Sequence, residues 1–454
     1  MRSPLSNKQH AIAVLSLGLP LIGSHLAQFA VQMADTIMLG WYGVAELAAM
    51  VLGGMFFFVL FIVGSGFAWA VMPVVAAAAA SGNHMQVRRT TRMAMWLSVL
   101  FGLLAMPLFF FAERLLLLSG QQASLAAMAG DYLRIAGFGL IPALLVMVLK
   151  SYLAALERTQ IVLWVTAVAA VLNGLVNYAL IFGNWGAPEL GIVGAAIGSV
   201  ILQLLTVFAM IGYTAYATPE HALFRRLWRP EWEAFGHIFA LGWPIGLTGL
   251  AEVGLFSASA IMMGWIGAVE LAAHGIAIQL ASLAFLVHLG ISNVATIRAG
   301  QAFGRRDEAE LRRGALVGIA LSLGFAAITV ALFVSIPQTL LGLFVDPDDA
   351  ARPAVLAAGV GLLYVAALFQ LADAGQVMAL GLLRGVQDTR APMIYAAISY
   401  WLIGIPLSYY FGFTLNLGGV GIWLGLVVGL SLAWVLMATR FWRGAVRIGQ
   451  SVSR

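Results

Sequence analysis

From residue 48 to residue 80 the chain reads AAMVLGGMFFFVLFIVGSGFAWAVMPVVAAAAA, without a single Asp, Glu, Lys or Arg. A helix rises about 1.5 Å per residue, so about 20 apolar residues cross a hydrocarbon core of ~30 Å. Runs of this kind recur along the sequence. We place twelve of them at roughly 11–35, 48–80, 91–112, 124–150, 160–183, 191–216, 237–260, 274–298, 313–335, 354–382, 391–413 and 418–440. The runs are continuous and rich in Gly and Ala, whereas membrane β-barrels show short alternating segments. The class expected is therefore an all-α polytopic membrane protein. The chain is 62% hydrophobic and 9% charged, against about 25% charged in soluble domains. No soluble domain fits between the spans, and the longest polar stretch, about 217–236, is a connector.

With no Cys in the chain, disulfides, thiol chemistry and Cys-based metal sites are excluded. No cleavable leader is expected, since the N-terminus passes into a long span without an A-x-A-like site. The net charge of +5 is not a nucleic-acid signal, because its distribution is topological. Arg88, Arg89 and Arg92 follow span 2; Lys150 and Arg158 follow span 4; Arg225, Arg226 and Arg229 follow span 6. Arg305, Arg306, Arg312 and Arg313 follow span 8, Arg384 and Arg390 follow span 10, and Arg440, Arg443 and Arg447 follow span 12. The odd-numbered loops hold little beyond Arg114 and Arg352. Positive residues stay on the cytoplasmic side, so both termini are expected there.

The spans repeat. Residues 17–49 align with 241–273 at a shift of 224 without a gap, with 15 of 33 positions identical. At the same shift Arg88–Arg89 falls on Arg312–Arg313, and Pro20 on Pro244. A shift of 230 places YLAALERTQ (152–160) on LLRGVQDTR (382–390). Six spans per half give both halves the same orientation, as in parallel repeats related by an axis along the membrane normal, with substrate sites at the repeat interface. The expected organisation is an N-lobe over 1–216, a cytoplasmic connector over 217–236 and a C-lobe over 237–454. Proline removes a helix hydrogen bond, so Pro20 and Pro244 mark a bend or a flexible point.

Three carboxylates sit inside spans: Asp35, Glu252 and Asp373. A charge at mid-bilayer costs roughly 2.5–3.5 kcal/mol on insertion scales. Each could shed its charge by taking a proton or coordinate a hard cation through oxygen, and either behaviour suits a coupling site. Asn173 and Asn177, spaced i, i+4, share one face of span 5, while their repeat equivalents are Ile403 and Leu407. Gln370 and Gln376 flank Asp373 at i−3 and i+3, and its own equivalent is Ala143. Asp35 matches Ser259 in the repeat, and Glu252 matches Gln28. Two unlike clusters are expected: Asp35 with Asn173 and Asn177, and Glu252 with Asp373, with Gln279 as a further candidate.

The two six-span halves, LGLP…D in span 1, P…E in span 7 and GLLRGVQDTRAP (381–392) after span 10 together resemble the MATE family of multidrug and toxin extruders, in its NorM-like branch. The resemblance covers nearly the whole chain. It implies a V-shaped, two-lobed antiporter with a central cavity, exporting cationic and amphipathic drugs in exchange for sodium ions or protons. It assigns the matched Asp35, Glu252 and Asp373 to cation coupling, with sodium a candidate at each, and sets Asn173 and Asn177 beside the first. Gln279, Gln370 and Gln376 are supporting polar or substrate-binding candidates.

Other signals have plainer readings. Met33, Met38, Met55, Met262, Met263 and Met378 suit a promiscuous apolar lining or ordinary packing. Asp346, Asp348 and Asp349 form a solvated turn or a cation lure at the outer mouth. His25, His274 and His288 fit packing roles, and Asp131 and Arg134 are spaced to pair. Nothing indicates an enzyme: there is no HExxH, no P-loop and no nucleophile with its base, and no cofactor is expected. The expected function is a cation-coupled antiporter in the inner membrane, acting as a monomer by alternating access. Rival readings are a lipid-linked oligosaccharide flippase of the same broader superfamily, disfavoured by the acidic in-span charges, and an uncoupled channel or receptor.

The Cys-free background makes the topology directly testable. Single cysteines introduced into the 217–236 connector are expected to resist an impermeant thiol reagent on intact cells, while cysteines within 260–273 react; the reverse pattern overturns the assignment.

Overall fold

A computed structural model describes residues 6–448. Among them the regular structure is helical throughout, with no strand. Twelve helices are long and apolar enough to cross a bilayer. They are α1 (Asn7–Tyr42), α2 (Val44–Ala80), α3 (His84–Phe110), α4 (Ala123–Ala155), α5 (Thr159–Phe182) and α6 (Gly191–Ala217) in the first half. The second half has α7 (Trp232–Ile266), α8 (Ala268–Arg305), α9 (Glu308–Ser335), α10 (Arg352–Gly385), α11 (Arg390–Thr414) and α12 (Gly418–Ala445).

Several helices outrun the apolar stretches that announced them. The hydropathy run of the first span stops near Asp35, but α1 continues to Tyr42. Backbone hydrogen bonds carry a helix onward after its side chains turn polar, so hydropathy marks the lipid-facing part only. The loop expected between the first two spans shrinks to one residue, Gly43, with extended backbone at φ −177° and ψ 145°. Its repeat equivalent, Gly267, joins α7 to α8 in the same way. A side chain at Gly43 would collide with Glu46, which closes back over the turn. The turns that follow α4 and α10 repeat as well. Glu157 and Gln387, equivalent at the 230 shift, both take a left-handed φ of 62°. Short helices that hydropathy did not signal, Ala112–Leu118 and Pro337–Gly342, follow α3 and α9 at matching places.

Where helix starts need caps, the sequence supplies them. Asn83 accepts a hydrogen bond from the Gln86 amide at 3.0 Å to open α3, and Asp307 accepts from the Glu310 amide at 2.9 Å to open α9. Each satisfies a backbone donor that the first turn leaves unpaired. On the opposite side, Arg134 pairs with Asp131 at 3.0 Å, as the spacing suggested, and also with Glu113 at 2.7 Å. The 344–350 stretch is a self-capped turn, in which Asp346 and Asp349 accept from the amides of Asp348 and Ala351.

By contacts the chain divides into two units, residues 23–246 and residues 1–22 with 247–454. The boundaries fall inside α1 and α7, two residues beyond Pro20 and Pro244. Within the first unit α4 is the central helix, packed on α2, α3 and α6. Within the second its equivalent, α10, packs on α8, α9 and α12.

The start of α7 packs on α2 through glycine. A Cβ on Gly66 would strike the Gly242 carbonyl and lie 2.5 Å from the Gly246 amide nitrogen. Gly242 and Gly246 form a GxxxG step, which lets helix backbones touch where lipid offers no hydrophobic drive for association. Gly66→Ala is expected to lose stability of the order of 1–3 kcal/mol through overpacking against backbone, read as a lower melting midpoint in detergent. Gly54→Ala, on the same helix with nothing within 4 Å of its Cβ, is expected to leave the midpoint unchanged.

Candidate functional site

Unit 23–246 holds the first polar cluster. Asn173 and Asn177 lie one turn apart on α5, at 1% and 0% exposure. Both turn their amide nitrogens to the same carboxylate oxygen. Asn173 Nδ2 donates to Asp35 Oδ1 at 2.5 Å and Asn177 Nδ2 donates to it at 2.6 Å. A half-buried carboxylate is tolerable in a helix bundle when such donors meet it. The i, i+4 spacing on α5 supplies both from one helix face. The partner oxygens, Oδ1 of Asn173 and Oδ1 of Asn177, are buried and accept no hydrogen bond. They are spare acceptors beside an anion.

Two supports for this cluster carried no sequence signal that we used. Gly198 on α6 leaves the space that Asn177 fills, and any side chain there would collide with Asn177 Oδ1. Tyr132, from α4, lies within the electrostatic reach of Asp35. A glycine in a run of Gly and Ala has no distinguishing mark until the neighbouring helix is known.

The second cluster lies in the other unit. Asp373 sits on the central helix α10 at 1% exposure, with Gln370 and Gln376 at 0%. Asp373 Oδ2 and both amide ends of each glutamine have no hydrogen-bond partner. Glu252 on α7 lies within electrostatic reach of Asp373, Arg384 and Tyr400. Gln279 is half-buried on α8 and makes no hydrogen bond to this group.

Tyr400 is the residue that sequence reading passed over. It is fully buried with its hydroxyl unpartnered, and Ser399 beside it is the same. Both belong to a stretch of α11, Ala397–Gly404, wound as a π-helix. Such wide turns are rare and frequent at functional sites. The available signal was the pair of polar side chains inside an otherwise apolar span. Trp401 holds α11 to α7 by donating from Nε1 to the carbonyl of Ala251 at 3.1 Å, one residue from Glu252.

The repeat-equivalent positions are occupied differently. Ser259, matching Asp35, is fully buried and spends its hydroxyl on the Phe256 carbonyl at 2.7 Å. Of the methionines, Met262, Met263 and Met378 are buried in packing, while Met33 and Met55 are exposed. His274 accepts from Trp423 Nε1 at 3.0 Å and His288 meets Ser322 at 2.9 Å. Among the described residues there is no group of three or more His, Asp or Glu able to hold a metal ion.

Comparison with known proteins agrees with this arrangement of helices. The MatE family model matches residues 20–179 and again 244–410, starting each time at the span proline. A protein of Agrobacterium fabrum called "Probable multidrug resistance protein NorM" is 46% identical over 434 residues, covering 95% of this chain and 93% of its own. One of the same name from Rhizobium meliloti is 46% identical, covering 96% and 93%. "Multidrug resistance protein NorM" of Burkholderia vietnamiensis is 35% identical, covering 97% and 95%. Among solved structures, a MATE transporter in the bent conformation superposes with a TM-score of 0.87 at 17% identity, covering 99% of both chains. A eukaryotic MATE transporter gives 0.86 at 18%, covering 98% and 99%; at these identities the likeness is one of fold. A chain that carries the MatE pattern twice and aligns along nearly its whole length with NorM proteins is a NorM-like member of the MatE family.

Proposed function

We propose that this protein is a cation-coupled multidrug efflux antiporter of the inner membrane. Its lobes, 1–216 and 237–454, would alternate access by rocking, with 217–236 as the cytoplasmic connector and both termini cytoplasmic. The observation that carries the reading is the pair of chemically unlike polar clusters, one in each contact unit, each centred on an in-span carboxylate. Asp35 accepts from Asn173 and Asn177, and Asp373 stands near Glu252 among unpartnered glutamines. Carboxylates in spans are costly, and ion or proton pathways are their usual use.

The first cluster suggests how either ion would act. With the amide nitrogens facing Asp35, two N–H groups converge on one carboxylate oxygen. A proton arriving on Oδ1 would make that oxygen a donor and a poorer acceptor, weakening both asparagine bonds. A sodium ion would instead favour half-turn rotation of the amides, which presents their spare oxygens beside the carboxylate. Either event changes which hydrogen bonds tie α1 to α5. That is a local two-state element of the kind alternating access requires. Inward cation flow would then drive cationic, amphipathic drugs outward. One cluster would serve the coupling cation and the other the drug, or each a cation of its own.

Efflux from proteoliposomes, driven separately by a pH gradient and a sodium gradient, tests the coupling. Asp35→Asn keeps the volume and the hydrogen bonding but not the charge. It is expected to bring gradient-driven efflux down to the level of protein-free liposomes, with an unchanged elution profile. Glu252→Gln and Asp373→Asn are expected to impair efflux through the second cluster. Asp35→Ser combined with Ser259→Asp is expected not to restore transport, because the relocated acid meets a buried site whose hydroxyl served only Phe256. Full activity in Asp35→Asn, or rescue by the exchange, would falsify the two-cluster scheme.

In cells, expression is expected to lower ethidium accumulation, and Gly198→Val, which pushes Asn177 aside, is expected to remove most of that effect. Unchanged accumulation of several lipophilic cations by well-expressed wild-type protein would end the multidrug reading and favour the flippase.

A further inference from the structure

The connector between the halves is tied down in an unusual way. Arg92 of α3 is 3% exposed. Its Nη1 donates to the carbonyl of Arg225 at 3.0 Å and to that of Arg226 at 2.8 Å. Trp96, one turn further along α3, donates from Nε1 to the Leu227 carbonyl at 2.8 Å. Three successive carbonyls of the connector are therefore held by buried or wedged side chains of one helix. Glu231 is held too, by Arg89 at 3.4 Å and Arg92 at 3.5 Å. Left-handed backbone at Ala222 and Arg226, φ 43° and 58°, lets the chain make the turns this requires. All of these residues belong to the 23–246 unit.

Pinning the carbonyls inward leaves the side chains outside. Arg225, Arg226 and Arg229 are exposed, and none of them forms an ion pair among the described residues. Between and beside them stand Trp228 at 76% exposure and Trp232 at 70%. Glu231, the carboxylate that could have neutralised them, is engaged by Arg89 and Arg92. Glu220 and Glu233 remain at the flanks, exposed. The segment joins the end of α6 at Ala217 to the start of α7 at Trp232, a few residues outside the apolar runs 191–216 and 237–260.

Indole rings partition to the headgroup layer of a bilayer. Guanidinium groups bind phosphate with two parallel N–H groups. A rigid turn that presents exposed tryptophans among unpaired arginines, at the end of two spans, matches the surface of an anionic leaflet in both polarity and charge. We propose that residues 225–232 form a docking surface for anionic phospholipid headgroups, held in register by the Arg92–Trp96 clamp. The clamp gives Arg92 a reason to be buried: it fixes the display without itself meeting the lipid.

The test uses the full-length protein in nanodiscs. Gly236 has open space about its Cβ, so Gly236→Cys in this Cys-free chain takes a polarity-sensitive fluorophore beside the surface. Its emission is expected to shift as phosphatidylglycerol replaces phosphatidylcholine, and to revert in high salt. Arg225→Gln, Arg226→Gln and Arg229→Gln together are expected to lower the apparent affinity for phosphatidylglycerol by about five-fold per arginine removed, leaving little or no shift over the range that saturates the wild type. The same sites as lysine are expected to keep part of the response, since the charge remains but the two parallel N–H groups do not, and Trp228→Ala with Trp232→Ala to weaken it. Arg305→Gln with Arg306→Gln, on another loop, is expected to change nothing. Wild-type response in the triple Gln variant, an equal response in pure phosphatidylcholine, or suppression by inorganic phosphate at matched concentration each overturns the proposal. The last outcome would mark a free-anion site.

Discussion

Placing polar groups where water is absent is the constraint that organises this protein. In a bilayer an unpaired charge costs several kcal/mol, so each in-span charge must be met by a partner from another helix or be left for an ion to meet. The two clusters answer this differently. Asp35 is met by two amides that α5 delivers from one face. Asp373 lies on the most enclosed helix of its unit with one oxygen and two neighbouring glutamines unmet. A satisfied carboxylate and an under-satisfied one are different chemical instruments, and the fold places one in each unit.

The internal repeat explains how such asymmetry can be built on a symmetric frame. What the halves share is backbone: the one-residue turns at Gly43 and Gly267, the left-handed turns at Glu157 and Gln387, and the short helices after α3 and α9. GLLRGVQDTRAP, the most family-specific stretch of the sequence, consists mainly of the second of those left-handed turns with its flanks. Its Asp388 pairs with Arg440 of α12 at 2.8 Å, while its Arg384 lies within electrostatic reach of Glu252. The in-span polar side chains stand mostly at positions where the halves disagree: Asp35 against Ser259, Asn173 against Ile403, Asp373 against Ala143.

Glycine determines how close the helices come. Gly66, Gly242 and Gly246 bring α2 and α7 to backbone contact, and Gly198 opens the space that Asn177 occupies. In a membrane, where apolar side chains gain little by leaving lipid for protein, close approach and polar pairing carry the association. The same economy ties the connector to α3, where one buried arginine and one tryptophan hold three carbonyls.

Span number, helix class, the two-fold repeat and the identity of the in-span carboxylates were legible in the sequence, because each follows from local composition or from a fixed shift. The i, i+4 asparagines were legible for the same reason, since spacing along one helix fixes a face. Which residues meet across helices was not. That Gly198 makes room for Asn177, that α11 widens into a π-helix at Tyr400, and that α1 and α7 change contact unit beyond Pro20 and Pro244 all depend on inter-helix distance and rotation. Hydropathy carries no term for either. A lipid-soluble helix can turn any face to any neighbour, and only packing in three dimensions selects one.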